Sequence, residues 1–189
     1  WPYVGGDNVP DRHYDFGAEE SGRIFDPDRP ENDSVHNDGL TDLPAATGAM
    51  ITVPREWEQF LEYPAEWEEY VSTDELSDVP FPQVSGGSPM GGPVYRHREG
   101  HGADALPRYY DGKVFIMERQ QNWIKYVTLD EAGEPVEVDP FLPGTTFRRP
   151  MDMTVGPDGA LYVAEWGSGW DAPNDDSGIH RIARPESAT

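Results

Sequence analysis

The sequence predicts an all-β chain that forms part of a β-propeller and carries a short acidic helical insertion. Gly and Pro number 20 and 19 of the 189 residues, which leaves little room for long helices. Beyond residue 90, strand-like runs separated by turn residues form cycles of about 40 to 50 residues each, the length typical of a propeller blade. We expect four segments: an irregular partial blade with loops (1–54), the insertion and a linker (55–84), one blade (85–148), and a partial blade with a closing hairpin (149–189).

The strongest local signal is a β-hairpin over residues 151–165. The runs Met151–Val155 and Ala160–Glu165 alternate apolar and polar residues, and the turn sequence PDG lies between them at 157–159. Pro presets φ for the first corner, Asp bonds its own backbone, and Gly takes the left-handed position. The pattern therefore predicts a hairpin. It also looks like the inner hairpin of a propeller blade, with Asp152 facing the central channel.

The remaining elements are less regular. Segment 31–44 is either an ordered loop or disordered, and the sequence leaves both open. Segment 55–71 has aromatic residues at helical spacing, and Pro64 divides it into two short helical turns. Further strands are predicted at Tyr3–Gly5, Arg23–Phe25, Ala45–Val53, 92–96, within 109–120, at 122–130, at Pro135–Leu142 and at Ile179–Ala183.

The charge is strongly acidic and limits the function classes. Asp and Glu number 36 against 14 Lys and Arg, for a net charge of −22. Such a surface is typical of proteins from salt-loving organisms, where salt screens self-repulsion. Nucleic acid is not an expected partner because its phosphates would be repelled. We also expect no membrane span, since no apolar run approaches ~18 residues. The chain has no Cys, so we expect no disulfide and no thiol chemistry, and the redox compartment stays open. It begins at Trp1 rather than Met, so we expect a processed or excised product.

A family likeness is carried by an ordered series of segments. These are GPVYR, LPRYYDGKVFIMERQQNWIKYVTLD, FLPGTTFRRPMDMTVGPDGALYVAEWGSGW and SGIHRI. The series resembles the C-terminal part of the glucose/sorbosone dehydrogenase family, which consists of six-bladed propellers. The closer likeness is to an exported subgroup often fused to ThuA-like or carbohydrate-binding modules, and WPYVGGDNVPDRHYDFG and ENDSVHNDGLTDLP share it. The resemblance implies an extracellular or cell-envelope location.

The resemblance also implies cofactor residues. Several family members are soluble sugar dehydrogenases that hold pyrroloquinoline quinone (PQQ) with Lys and Arg at the inner ends of the last blades. Matching the motifs puts Gln120 where the quinone-binding Lys would be. Arg149 matches one of two cofactor arginines, and Met151 takes the place of the other. Because the quinone is a tricarboxylate, losing two of three cations weakens the expected binding. The family's His base and calcium loop belong to earlier blades, which this chain lacks.

Several other residues have chemistry that suits a binding site. Asp152 and Glu165 near a channel would bind sugar hydroxyls or a cation, unless Asp152 caps a turn and Glu165 is solvated. Trp166 would stack on a sugar ring, unless it seals a blade interface. The oxygen-rich pair Asp175 and Asp176 is a candidate Ca²⁺ site. A last candidate pair for substrate is formed by Asp7 and Asn8.

Three functions remain open. The resemblance implies an oxidoreductase in which a base takes the proton of a sugar or polyol hydroxyl while hydride passes to a quinone. A non-catalytic carbohydrate-binding or scaffold propeller is favoured by Gln120 and Met151. A metal-dependent lactonase of the SMP-30 type is suggested by the sequence GPDGALYVAE. The expected partners are a carbohydrate and the rest of the propeller, in the parent chain or in companion chains, because a closed ring usually needs well over 189 residues.

Overall fold

The regular secondary structure of the described residues is β-strand, apart from one 3-10 turn at Arg108–Tyr110. The computed structural model describes residues 4–5, 8–51, 81, 84, 86–169 and 174–184. All strand pairs among them are antiparallel, which confirms the all-β class. None of the sheets in these ranges closes on itself. The predicted insertion at 55–84 lies outside the described residues, except for Phe81 and Val84.

The chain divides into two units, and the first contains the described residues up to Ile51. It holds two small hairpins. Strand β1 (Val4–Gly5) pairs with β2 (Val9–Pro10), and β3 (Arg12–Asp15) pairs with β4 (Glu20–Ile24). The strands predicted near residues 4 and 24 are thus present, while β2 and β3 were not predicted.

The segment that follows β4 is an ordered loop. An isolated bridge joins Glu31 to Asp42, and the backbone N–H of Asn32 donates to Thr41 O at 2.8 Å. The strand predicted at Ala45–Val53 is wrong for its described part, because residues 45–51 are not in a strand. Instead, the N–H of Ala46 donates to Pro27 O at 2.8 Å and ties this segment to the loop.

The second unit contains the described residues from Phe81 onward. Its first sheet is a four-stranded meander of β5 (Pro89–Val94), β6 (Val114–Glu118), β7 (Trp123–Leu129) and β8 (Pro135–Pro140), which are neighbours in chain order. The last three strands lie where strands were predicted. Strand β5 begins three residues before the predicted run at 92–96 and ends two residues before its end.

The second sheet of this unit contains the hairpin that the sequence predicted. Strand β9 (Pro150–Val155) pairs with β10 (Leu161–Glu165), which pairs with β11 (Gly178–Ile182). In the turn, Asp158 Oδ1 accepts the N–H of Ala160 at 3.2 Å, and Gly159 has a φ of +79°. Both features confirm the turn chemistry expected of PDG.

The core of this unit lies between its two sheets. A Cβ on Gly92 of β5 would come within 2.9 Å of the Met153 side chain on β9, so only glycine permits this approach. The hydroxyl of Tyr95 is fully buried and lies 3.0 Å from Leu106 O and 3.1 Å from Gly159 O. The core cluster consists of Tyr95, Leu106, Phe115, Met117, Ile124, Tyr126, Phe141, Phe147, Met153, Leu161 and Val163.

Candidate functional site

Trp166 is the aromatic residue of the predicted site, and it directly follows β10. Its side chain is 41% exposed, yet both its ring and its backbone are held. The indole Nε1–H donates to Gly169 O at 3.0 Å, and the backbone N–H donates to Arg149 O at 3.0 Å. Asn174 Nδ2 donates to Trp166 O at 2.8 Å. The ring is therefore fixed in position while part of it faces solvent.

The loop at 166–169 is clamped by two polar side chains of segment 174–177. Asn174 Oδ1 accepts the N–H of Gly169 at 2.6 Å. Asp176 Oδ1 accepts the N–H of Ser168 at 3.0 Å, and its Oδ2 lies 2.6 Å from the guanidinium of Arg148. The backbone bond from Ser168, followed by the contacts with Arg148, lowers the pKa of Asp176. Asp176 is therefore held in its ionised form, and its carboxylate fixes the loop at 166–169.

The predicted calcium pair has two different environments. Asp175 is exposed, whereas both oxygens of Asp176 already have partners. Within the ranges that the structure describes, no three His, Asp or Glu side chains come together as a metal site would require. Calcium at this loop stays a prediction.

Arg149 links three segments at the start of β9. Its φ is +55°, a left-handed conformation that is uncommon for any residue with a side chain. Its N–H donates to Asn122 Oδ1 at 2.9 Å, and its guanidinium donates to Gly169 O. The turn after β6, the start of β9 and the Trp166 loop therefore meet at this one residue.

The other residues implied by the resemblance add no charge. Gln120 is exposed in the turn after β6, and Met151 is 37% exposed on β9. Arg119, which precedes Gln120 in the chain, was not predicted as a site residue from the sequence. Its guanidinium carbon lies 5.8 Å from the Trp166 ring centroid.

Asp152 and Glu165 have unlike surroundings. Asp152 is exposed on β9 and pairs across the ladder with Ala164. The Glu165 side chain is only 7% exposed, and its Oε2 lies 3.3 Å from His180 Nε2. The reading of Glu165 as a solvated carboxylate is therefore wrong.

The sequence reasoning missed a buried carboxylate at the end of β6. Glu118 is fully buried, and its oxygens accept the backbone N–H of Ser88, at 2.6 Å, and of Gln121. A Cβ on Gly86 would come within 2.4 Å of the Glu118 side chain. The signal in the sequence was the glycine-rich segment before β5, whose backbone must approach a neighbour closely.

The candidate pair in the first unit is described only in part. Asp7 lies outside the described residues. Asn8 has a φ of +59° and donates through Nδ2 to Ala46 O at 3.3 Å. Its Oδ1 is buried without a hydrogen-bond partner. A role in substrate binding stays a prediction for both residues.

The comparisons with known proteins gave no family to which the site could be referred. The chain matches no protein-family model, no curated protein and no solved structure. The described residues include no helix long and apolar enough to cross a membrane. The chemistry of the site therefore has to be argued from its own residues.

Proposed function

We propose that this chain supplies two neighbouring blades of a β-propeller that binds carbohydrate through the Trp166 loop. The four-stranded meander β5–β8 has the form of one blade, and β9–β11 has the form of the next blade without its last strand. The approach of Gly92 to Met153 brings the first strands of the two sheets together, as expected of inner strands in adjacent blades.

The remaining blades are proposed as the partner of these two. Strand β11 is an edge of its sheet in the described residues, and Ile179 on it is 75% exposed. An uncovered strand edge invites pairing with another strand. We therefore propose that strands of the parent protein or of companion chains complete the ring, in an extracellular or cell-envelope protein.

One observation carries the carbohydrate proposal: Trp166 is 41% exposed but fixed by its Nε1–H bond to Gly169 O. Aromatic faces suit the apolar face of a sugar ring, and a rigid side chain loses little conformational entropy on binding.

Calorimetric titration of the 189-residue chain with neutral and acidic oligosaccharides tests this proposal. Trp166→Ala should weaken binding about 2- to 12-fold, since an aromatic contact contributes roughly 0.5–1.5 kcal/mol. Trp166→Phe should retain part of the affinity. Phe16→Ala, at an aromatic that is 86% exposed in the first unit, is the control and should bind as the parent does. Failure of every oligosaccharide to bind would refute the proposal.

A quinone-dependent sugar dehydrogenase is the second candidate, and Arg149 at the start of β9 favours it. The residues present fit a tricarboxylate poorly, because Gln120 and Met151 are uncharged and the Arg149 guanidinium donates to Gly169 O. Reconstitution with PQQ and Ca²⁺, followed by dye reduction with aldoses, is the direct test. Dye reduction would establish this function, and an unchanged quinone spectrum at saturating quinone would rule it out. Metal-dependent lactone hydrolysis would instead select the lactonase.

A further inference from the structure

We propose that the loop between β5 and β6 is a docking surface for an acidic segment of a partner protein. Residues 95–113 form this loop, which we call the basic loop. Four exposed arginines lie in it or are bonded to it, and none of them pairs with a carboxylate of the described residues. By contrast, Arg23, Arg148 and Arg181 each pair with at least one carboxylate. The four arginines are Arg96, Arg98, Arg108 and Arg184.

Backbone bonds fix the basic loop at its base and in its middle. The N–H of Tyr95 donates to Lys113 O at 2.9 Å and closes the base. The N–H of Leu106 donates to Gly159 O at 3.0 Å and ties the middle to the β9–β10 turn. An ordered loop loses less conformational entropy when a partner binds to it.

The arginines reach this loop from different parts of the chain. Arg184 follows β11, and its N–H donates to Asp104 O at 3.0 Å, which places it beside the loop. The guanidinium of Arg96 lies across the loop, since a Cβ on Gly112 would be 3.5 Å from its Nη1. The positive charge is therefore collected at one end of the second unit.

Most carboxylates near the loop already have partners. Asp104 and Asp158 both pair with Arg181, at 2.8 and 2.7 Å. Asp111 Oδ1 accepts a backbone N–H of the loop at 2.9 Å. Glu99 is exposed and offsets the charge of one arginine. The arginines of this end thus keep a net positive charge in a chain that has 36 acidic residues.

The residue types on this surface favour a protein as the partner. Guanidinium forks match carboxylates in a bidentate fashion. Tyr109, next to Arg108, is 59% exposed, although Lys113 Nζ lies 4.4 Å from its ring centroid. Its hydroxyl lies 3.2 Å from that of Tyr126, which fixes the ring. Arg and Tyr are enriched at protein interfaces and among the residues that contribute most to binding.

The basic loop and the Trp166 loop are separate surfaces. Gly159, to which the basic loop is bonded, lies just before β10, whereas Trp166 directly follows this strand. Strand β10 has five residues and is therefore ~17 Å long. The proposed docking surface does not depend on carbohydrate binding.

The net charge of −22 opposes the approach of any acidic partner. At about 0.15 M salt the screening length is about 8 Å, so a short docked segment interacts mainly with the charges close to it. If the four arginines dominate, affinity will fall as salt rises. If the overall charge dominates, affinity will rise instead. The direction of the salt dependence therefore tests the proposal.

Fluorescence anisotropy of a labelled oligoglutamate peptide of about ten residues, in about 0.15 M KCl, measures binding to the 189-residue chain. Arg98→Gln should weaken binding about 1.4- to 5-fold, as expected for one exposed charge contact. Replacing all four arginines by Gln should weaken it about fourfold or more. Arg29→Gln, the same change at an exposed arginine of the first unit, is the matched control and should bind as the parent does.

Three outcomes would overturn the inference: no binding of the peptide, binding that the fourfold variant retains, or affinity that rises between about 0.15 and about 1 M KCl. Tighter binding of heparin than of oligoglutamate would replace the protein partner by a sulfated polysaccharide. Trp166→Ala should leave peptide binding unchanged, which separates this surface from the carbohydrate proposal. Thermal unfolding midpoints equal to that of the unmodified chain will show that each variant is folded.

Discussion

Replacing Tyr95 by Phe tests how far the two sheets of the second unit unfold as one body. The Tyr95 side chain is fully buried, and its hydroxyl lies 3.0 Å from Leu106 O and 3.1 Å from Gly159 O. These carbonyls belong to the loop after β5 and to the β9–β10 turn. One hydroxyl therefore joins the first sheet to the turn of the second.

The expected cost follows from the partners left behind. Gly159 O also accepts the N–H of Leu106 at 3.0 Å, so it retains one bond in Tyr95→Phe. Leu106 O loses the hydroxyl as its donor. Leaving one buried acceptor unsatisfied costs about 1–3 kcal/mol, and the ring itself still fills its site. For a cooperative unit of about 100 residues, each kcal/mol lowers the thermal midpoint by roughly 4–8 °C.

The assay is thermal unfolding followed by both circular dichroism and tryptophan fluorescence. Tyr14→Phe removes a hydroxyl from a tyrosine that is 43% exposed in the first unit, and it should leave the midpoint of the second unit unchanged. A midpoint for Tyr95→Phe within about 1 °C of the parent would contradict the proposed link. A transition that splits in two would show that the sheets do not unfold together.

Three further predictions concern buried and surface charge. Glu118→Gln should lower stability by about 1–3 kcal/mol in urea unfolding, because the amide nitrogen cannot accept a backbone N–H, whereas Glu131→Gln at an exposed turn should not. The thermal midpoint should rise between about 0.1 and about 1 M KCl as salt screens the net charge of −22, and a flat or falling midpoint would contradict this. Burial raises the pKa of Tyr95, Tyr110 and Tyr126, so the fold favours their neutral forms. Their contribution to stability is complete below the ordinary tyrosine pKa near 10 and is lost as pH rises through the raised values; absorbance at 295 nm should show fewer than all nine tyrosines ionising before the chain unfolds.

Local signals account for the part of the fold that was predictable. The turn at 157–159 needs only the backbone preferences of Pro, Asp and Gly, and the structure has both the Asp158 bond and the left-handed Gly159. The alternating runs on either side specify paired strands in the same way. The strand expected at Ala45–Val53 was wrong in its described part: residues 45–51 are not in a strand, and the N–H of Ala46 bonds to Pro27 O in a distant loop.

The missed site features are contacts between residues distant in sequence. Glu118 ends a strand with an ordinary alternating pattern, and its burial depends on the backbone of Ser88, 30 residues away. Arg119 became relevant only when the β6–β7 turn was found beside Trp166. The sequence can indicate that an arginine or a tryptophan is present, but the packing of the two sheets decides whether they meet.

Replacing Arg149 tests whether its contact with the Trp166 loop serves ligand binding or the stability of the fold. Its left-handed backbone is strained for a residue with a side chain, yet its guanidinium fixes the loop that carries Trp166. Arg149→Asn keeps a residue that tolerates this conformation and removes the guanidinium. If the strain is maintained for binding, the variant should unfold within a few degrees of the parent, while affinity for oligosaccharide falls about as much as in Trp166→Ala. A large loss of stability with unchanged affinity would show the opposite, that Arg149 supports the fold and that Trp166 does not need a fixed loop.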